Sequence, residues 1–240
     1  MKILIVNYEC PPLGGGGGVA SLQLAQELAK QHEVDYLTSG FNNLPDFEIK
    51  NNVRVFRVPV LNRKDLSTAT YWSMLSFAPS GLMKGISLCR YTRYDCIHAF
   101  FVVPSGICGC GLSRLFGIPL VVSALGGDVY DPSKQFSPHK STILRKIITW
   151  LLNHSDKNTV ESTNLKKNIL KYYAVKKSIE VVPLGLTRPE FSGRTRSELN
   201  LPEDKLLAIS VGRLVARKGY SFALEALANV SPDTWKYIII

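Results

Sequence analysis

Apolar and polar positions along the chain follow two periods, one typical of strands and one typical of helices. The continuous apolar run at residues 2–7 indicates a strand buried on both faces. Apolar residues at helical spacing in 19–30 and 143–152 predict amphipathic helices. Further strands are expected at 34–38, 53–58, 94–101, 120–123, 157–161 and 179–182. This alternation predicts an α/β fold, a Rossmann-like parallel sheet with helices on both faces.

A change in composition after Pro183 predicts a domain boundary. Residues 1–186 are expected to form the Rossmann-like domain, and 187–204, rich in Thr, Arg, Pro, Ser and Gly, form a linker. Residues 205–240 contain a strand, a helix and a last strand. Because two strands and one helix cannot bury a core, we expect them to be the incomplete start of a second Rossmann-like domain. The chain is therefore expected to be a fragment.

The charge of the chain is concentrated in one segment. Of a net charge of +10, the segment 134–177 carries +8, from ten basic and two acidic residues. Either this is a solvated basic face, or it is attracted to an anionic membrane surface. Nucleic acid is not expected as a partner, since no recognition motif accompanies the charge. The apolar stretch 69–89 contains Pro79, Gly81 and Gly85, and is expected to form a surface-lying or acceptor-facing helix pair rather than a membrane span.

Five cysteines without metal-ligand spacing are expected to be buried free thiols. Their odd number and the lack of a secretory leader favour a reducing compartment. We therefore expect a cytoplasmic protein, and the charge argument extends this to a peripheral position at the inner face of the membrane. No metal site is expected.

A run of five glycines follows the first strand and predicts a strand, a glycine loop and a helix start. Glycine allows left-handed backbone angles and close approach to its N–H groups, and a helix N-terminus attracts phosphate. Gly15, Gly16 and Gly17 are therefore candidate phosphate ligands. Two alternatives are a loop without a ligand and a nicotinamide site. The second strand ends without the acid that binds a ribose, which counts against the nicotinamide site.

Five stretches of the chain, in order, resemble the family 4 glycosyltransferases. They are 11–18 with 24–38, 94–101, 119–129, 181–191 and 211–219. These enzymes are retaining and use sugar nucleotides, with two Rossmann-like domains in the GT-B fold. The resemblance implies that residues 1–186 form the acceptor-side domain and that 205–240 begin the donor-binding domain. The implied activity is transfer of a hexosyl-type sugar to a glycan, polysaccharide or lipid-linked acceptor, with retention of configuration.

The resemblance also implies a donor site without a metal or other cofactor. Arg213 and Lys218 match the basic pair that holds the donor diphosphate in this family. Cations placed there would stabilise the charge that develops on the leaving diphosphate. The N–H groups of Gly15, Gly16 and Gly17 would approach the same phosphates, or the acceptor, from the first domain.

The chain departs from the family at the reacting centre. Leu125 stands where many members have a histidine, and it cannot form a hydrogen bond through its side chain. Phe100 replaces the second histidine of a His-Ala-His pattern, while His98 remains. His98 and Asp128 are the candidate catalytic residues, with a structural strand-end histidine and a turn cap as the respective alternatives. The fragment alone is expected to be inactive, and a non-catalytic binding or partner subunit of the same fold is the alternative function.

Overall fold

The computed structural model describes residues 1–133, 137–185, 187–188, 191–212, 214–231 and 234–240, with Arg217 described by its backbone only. They form two units, Met1–Thr187 and Arg188–Ile240. The strands of the first unit are β1 (Lys2–Asn7), β2 (Glu33–Ser39), β3 (Phe47–Lys50), β4 (Val53–Val58), β5 (Cys96–Phe100), β6 (Leu120–Ala124), β7 (Lys157–Val160) and β8 (Ile179–Val181). Its helices are α1 (Gly16–Leu28), α2 (Tyr71–Tyr91), α3 (Ser105–Phe116), α4 (Thr142–His154) and α5 (Thr163–Tyr172).

The eight strands form one sheet in the order β3-β4-β2-β1-β5-β6-β7-β8. All neighbours are parallel except β3, which pairs antiparallel with β4 at the edge. The predicted α/β architecture is confirmed. Strand β3 is not predicted by the sequence analysis. Its apolar residues Phe47 and Ile49 are 49% and 64% exposed, so the strand lacks the apolar pattern of a buried strand.

The sheet has helices on both faces, but they are distributed unequally. Leu4 and Val6 of β1 belong to a core formed with α2, α3, α4 and α5, whereas Ile3 and Ile5 pack under α1 on the opposite face. The chain moves one way across the sheet from β1 to β2 and the other way from β4 to β8. Right-handed crossovers in opposite directions place their helices on opposite faces.

Helix α2 is a single helix of 21 residues, so the expected helix pair is wrong. Thr70 and Ser73 form a capping box at its start. The proline inside it, Pro79, does not divide it, and the buried residues Phe77, Gly81 and Gly85 follow a spacing of four. Among the described residues, none of the helices combines the length and apolarity needed to cross a bilayer.

Within its described residues, the second unit contains two parallel strands and one α-helix. Strand β9 (Leu206–Ser210) pairs with β10 (Trp235–Ile239), and α6 (Tyr220–Leu227) connects them after a short 3-10 turn at Ala216–Lys218. No residue of α6 is buried. This is the strand, helix and strand that the sequence predicts for residues 205–240.

The packing of α2 on α3 generates a first prediction. A Cβ added at Gly85 would lie 2.5 Å from Leu112 Cδ1, a side chain that is fully buried. Replacing glycine with alanine inside a helix ordinarily stabilises it by about 1 kcal/mol. We expect Gly85→Ala instead to lower the free energy of unfolding by about 1–3 kcal/mol, because the pair becomes overpacked. Urea unfolding measures this, with Ser87→Ala, on the exposed side of α2, as the unaffected control. A stabilised Gly85→Ala variant would contradict the close packing.

Candidate functional site

The candidate site lies at the carboxyl edge of the first unit's sheet. In a parallel sheet the carboxyl ends of the strands meet at one edge, where ligands bind in open α/β folds. The loop between β1 and α1 and the loops that follow β5, β6 and β7 meet at this edge. The glycine run and both candidate catalytic residues belong to these segments or to the strand ends before them.

The start of the glycine loop is held by a buried hydrogen-bond network. Tyr36 Oη, from β2, donates to the carbonyl of Glu9 at 2.8 Å. Ser21 Oγ, from α1, lies 2.6 Å from Tyr36 Oη and accepts from Asn7 Nδ2 at 2.6 Å. Burial raises the pKa of the Tyr36 hydroxyl well above its usual value, so the group stays protonated as a donor. The segment around Glu9 is therefore fixed against β1, β2 and α1.

Helix α1 begins inside the glycine run, earlier than the apolar pattern at 19–30 indicates. Gly15 is the N-cap, Gly16 is the first helical residue, and no side chain caps the helix. The N–H of Gly15 donates to the Glu9 carboxylate at 3.0 Å. The first N–H groups of an α-helix have no partner within it, so those of Gly16 and Gly17 are suited to an anion. The early start could not be read from the sequence, because glycine disfavours helix interiors.

Two of these glycines differ in their surroundings. A Cβ added at Gly16 would meet no atom within 4 Å, whereas one at Gly17 would lie 2.5 Å from Phe101 Cζ and 3.0 Å from Leu125 Cδ1. Gly17 therefore allows α1 to approach the loops that follow β5 and β6. Gly16 has open space beside it.

His98 lies on β5 and forms a polar chain across three strands. Its Nε2 is 2.7 Å from Ser123 Oγ on β6, which is 2.6 Å from Thr159 Oγ1 on β7. The imidazole stacks on Phe100, with ring centroids 4.3 Å apart. Burial lowers the pKa of His98 to about 4, so the ring is neutral at pH 7. It can exchange a hydrogen bond with a polar ligand but carries no charge.

Asp128 is buried and connects two loops of the carboxyl edge. Its Oδ2 accepts the N–H of Val102 at 2.7 Å, and its Oδ1 accepts the N–H of Leu125 at 3.1 Å. Burial raises the pKa of Asp128 to about 6, although the backbone hydrogen bonds act in the opposite direction. These contacts are those of a loop cap, the alternative raised above. The catalytic role of Asp128 stays a prediction.

A cavity of about 470 Å³ lies between α1 and the ends of the strands next to it. His98, Ser123, Leu125, Thr159 and Glu161 line it together with one side of α1 and the segment 182–185. Burial raises the pKa of Glu161. The sequence interpretation did not identify Ser123, Thr159 or Glu161, although Glu161 directly follows a strand in the same way as Leu125. Its position after β7 was the available signal.

The basic pair of the second unit is described only in part. Arg213 lies outside the described residues. Lys218 ends the 3-10 turn after β9 and precedes Gly219, which has a φ of +71°. A Cβ at Gly212 would lie 3.7 Å from Lys218 Cε, so the lysine chain passes close to the end of β9. Within the described ranges, no group of three or more His, Cys, Asp or Glu side chains could hold a metal ion.

Comparison with known proteins gives consistent matches. The model of Glycosyltransferase Family 4 matches residues 14–187. The chain is 31% identical over 207 residues to the putative teichuronic acid biosynthesis glycosyltransferase TuaC of Bacillus subtilis, covering 82% of this chain and 49% of that protein. It is 25% identical over 250 residues to the UDP-Gal:alpha-D-GlcNAc-diphosphoundecaprenol alpha-1,3-galactosyltransferase of Escherichia coli, covering 97% of this chain and 60% of that protein.

The fold also matches a solved structure, sucrose-phosphate synthase from Thermosynechococcus elongatus. The TM-score is 0.77 at 21% identity, with 99% of this chain and 61% of that chain covered. At this identity the match shows a shared fold. The chain spans about half to three-fifths of the length of these proteins.

The neutral state of His98 generates a prediction about pH. The pKa of a histidine is about 6.5 in the unfolded chain, and burial lowers it to about 4 in the folded protein. The unfolded state therefore binds the proton more readily than the folded state does. The contribution of the neutral His98 to the free energy of unfolding is fully present above pH 6.5 and is lost as the pH falls toward 4. Asp128, with its raised pKa, acts in the opposite direction over this range. The effect of His98 therefore appears as a difference between wild type and a variant.

The free energy of unfolding of the wild type is expected to fall between pH 7 and pH 5 by about 1–2 kcal/mol on account of His98. We expect the His98→Asn variant to lack this part of the fall. Urea unfolding at the two pH values measures this, with the exposed His154→Asn as control. Parallel pH profiles for His98→Asn and wild type would contradict burial of a neutral imidazole.

Proposed function

This chain belongs to glycosyltransferase family 4, and we propose that it takes part in moving a sugar from a nucleotide-sugar donor to an acceptor hydroxyl. In this proposal the first unit binds the acceptor and the second begins the donor-binding domain. The observation that carries the proposal is the uncapped glycine N-terminus of α1, which lies at the carboxyl edge of the sheet. This edge is where open α/β sheets bind their ligands.

The glycine N-terminus supports binding of a phosphate group. The first turn of α1 contains no acidic residue, and its N-cap, Gly15, has no side chain of its own that could cap the helix. The positive end of the helix is opposed by the Glu9 carboxylate, which accepts from Gly15. The N–H groups of Gly16 and Gly17 remain for a ligand oxygen, and the open space beside Gly16 gives that oxygen access.

The proposed reaction breaks the bond between the anomeric carbon of the sugar and a diphosphate oxygen. The electron pair of that bond goes to the diphosphate, and the acceptor hydroxyl forms the new bond and loses its proton. We propose that Arg213 and Lys218 neutralise the charge that develops on the diphosphate, so no bound metal or other cofactor is needed. The proposal includes transfer of a hexosyl-type sugar with retention of configuration.

The candidate catalytic residues are given roles that agree with their surroundings. A neutral His98 that already contacts Ser123 is suited to hydrogen-bond a sugar hydroxyl. Its low pKa makes it a weak base. Asp128 fixes the loops that carry Val102 and Leu125, and through them it supports the site.

We favour a lipid-linked molecule as the acceptor. Other glycans and polysaccharide precursors are the alternatives. The name of the Escherichia coli relative gives a sugar on diphosphoundecaprenol as its acceptor. A lipid-linked acceptor would require a cytoplasmic protein to work at the inner face of the membrane. The basic segment 134–177 supports such a peripheral position.

A non-catalytic binding or partner subunit is the second candidate. Leu125 favours it, because this side chain stands where many family members have a histidine. It lies beside Gly17 and lines the cavity. Release of nucleoside diphosphate from a sugar nucleotide distinguishes the two candidates, since a binding subunit would release none.

The basic pair gives the test of transfer. The protein is expressed from the complete open reading frame that encodes this chain and assayed with UDP- and GDP-sugars and lipid-linked acceptors. We expect Arg213→Ala and Lys218→Ala each to lower kcat/KM by about 10²–10³-fold, because each removes a charge that stabilises the transition state. Lys236→Ala, an exposed lysine on β10, is the matched control. Unchanged rates in both variants would contradict the assigned role, and an inverted product in NMR spectra would contradict retention.

Gly16 provides a test that separates ligand binding from folding. Gly16→Ala adds a methyl group where no protein atom lies within 4 Å, at the first position of α1. We expect an unchanged or slightly higher melting temperature but at least about tenfold weaker phosphate-ligand binding, since the methyl group occupies the approach of the ligand. Binding of nucleoside diphosphates is followed by calorimetry, in the same full-length protein. Thr142→Ala, at the first position of α4, is the control. Equal affinities for wild type and Gly16→Ala would contradict a phosphate site here.

A further inference from the structure

The four helices on one face of the sheet contain no acidic residue. We call α2, α3, α4 and α5 the helix layer. The chain has 19 acidic residues, yet none falls within these four helices. The layer carries eight basic residues: Lys84, Arg90, Arg114, Arg145, Lys146, Lys166, Lys167 and Lys171. A surface of mixed charge is the ordinary state of a soluble domain. This layer instead has a charge of a single sign.

Large apolar side chains are exposed on the same layer. On α2, Trp72 and Leu75 are 64% and 66% exposed, and on α4, Ile143 and Trp150 are 72% and 42% exposed. The opposite side of each helix packs on the sheet, so these side chains face away from the core. Single exposed apolar residues are normal. Their combination with an unbroken positive charge is typical of a surface that binds a membrane interface.

The helices of the layer are joined to one another. The Arg114 guanidinium of α3 lies over the Trp150 ring of α4, 4.4 Å from its centroid. Arg145 Nε of α4 donates to the carbonyl of Tyr172 in α5 at 3.0 Å. Gly85 allows α2 to contact Leu112 of α3. Helices α4 and α5 of the basic segment and helix α2 of the apolar stretch, separate in the sequence, therefore contribute to one continuous surface.

We propose that the helix layer docks on the surface of an anionic phospholipid bilayer. This inference rests on the peripheral position in the proposed function and assigns the surface that would produce it. Its cations contact lipid phosphates and are attracted by the negative potential of the membrane surface. Trp72 and Trp150 lie at headgroup depth, where amphipathic aromatic rings are favoured. The charge complementarity favours this occupant, because the layer offers no carboxylate that would repel acidic lipid.

Vesicle flotation of the 240-residue chain tests the proposal. We expect the chain to float with vesicles of phosphatidylglycerol and phosphatidylethanolamine, but not with phosphatidylcholine alone, and to dissociate as salt is raised. Lys146→Glu/Lys167→Glu is expected to lower the bound fraction about tenfold or more. The control Lys30→Glu/Lys157→Glu changes the net charge equally but lies outside the layer, so it should bind as wild type does. Equal loss in both double variants would overturn the proposal.

A second pair of variants tests the apolar contacts. Trp72→Ser is expected to weaken vesicle binding at least about threefold without altering the unfolding midpoint, because this side chain is mostly exposed. Phe191→Ser, at a residue 93% exposed in the second unit, is the control and should not change binding. Binding to phosphatidylcholine as strong as to acidic lipid would overturn the proposal, as would binding that nuclease treatment abolishes.

Failure of docking and failure of sugar transfer are distinguishable. Nucleoside diphosphate release is measured without vesicles on a water-soluble acceptor, and flotation is measured without any sugar nucleotide. A full-length protein that floats but releases no diphosphate retains the docking surface and contradicts transfer. A protein that releases diphosphate but does not float contradicts the docking surface alone.

Discussion

The contact between Gly17 and Phe101 sets the position of α1 against the carboxyl edge. Any side chain at residue 17 would overlap Phe101, because its Cβ would lie 2.5 Å from the ring. Phe101 itself has a φ of +68°, a region that non-glycine residues seldom occupy. Its N–H donates to the carbonyl of Ser123 at 2.9 Å, and its carbonyl accepts from Gly106 at 3.1 Å. The strained turn after β5 is thus held from two sides, and the close approach of α1 to it requires a glycine at residue 17.

Much of the fold could be predicted, because a doubly wound parallel sheet has a strong periodic pattern. Buried strands such as β1 are continuous apolar runs, and helices such as α4 have an apolar stripe. Strand β3 was missed because it is a short antiparallel edge strand with exposed side chains. The helix pair proposed for 69–89 was wrong because Pro79, Gly81 and Gly85 suggested a break. In the structure Gly81 and Gly85 lie with Phe77 on the side of α2 that packs on the core.

The motifs of the candidate site that lie within one segment of the sequence could be predicted, but the contacts between residues of different strands could not. The glycine run is visible in the sequence, and so is a histidine near a strand end. The chain from His98 to Ser123 to Thr159 depends on the register of β5, β6 and β7, which aligns His98 with Val121 and Ser123 with Thr159. No feature of one strand specifies that register. The opposite pKa shifts of His98 and Asp128 have one cause, since burial disfavours the charged form of either group. Such burial is a property of the folded chain.

The unequal distribution of helices has a geometric consequence for a protein resting on a surface. The helix layer covers one face of the sheet, and the strands run parallel to that face. If the layer lies flat, the carboxyl edge opens sideways, about one helix diameter or 10 Å above the surface. Rotation of the molecule about the surface normal leaves this height unchanged. For the proposed lipid-linked acceptor, docking would confine the protein to the plane in which the acceptor already diffuses, so that the two would meet in two dimensions and at a constant height.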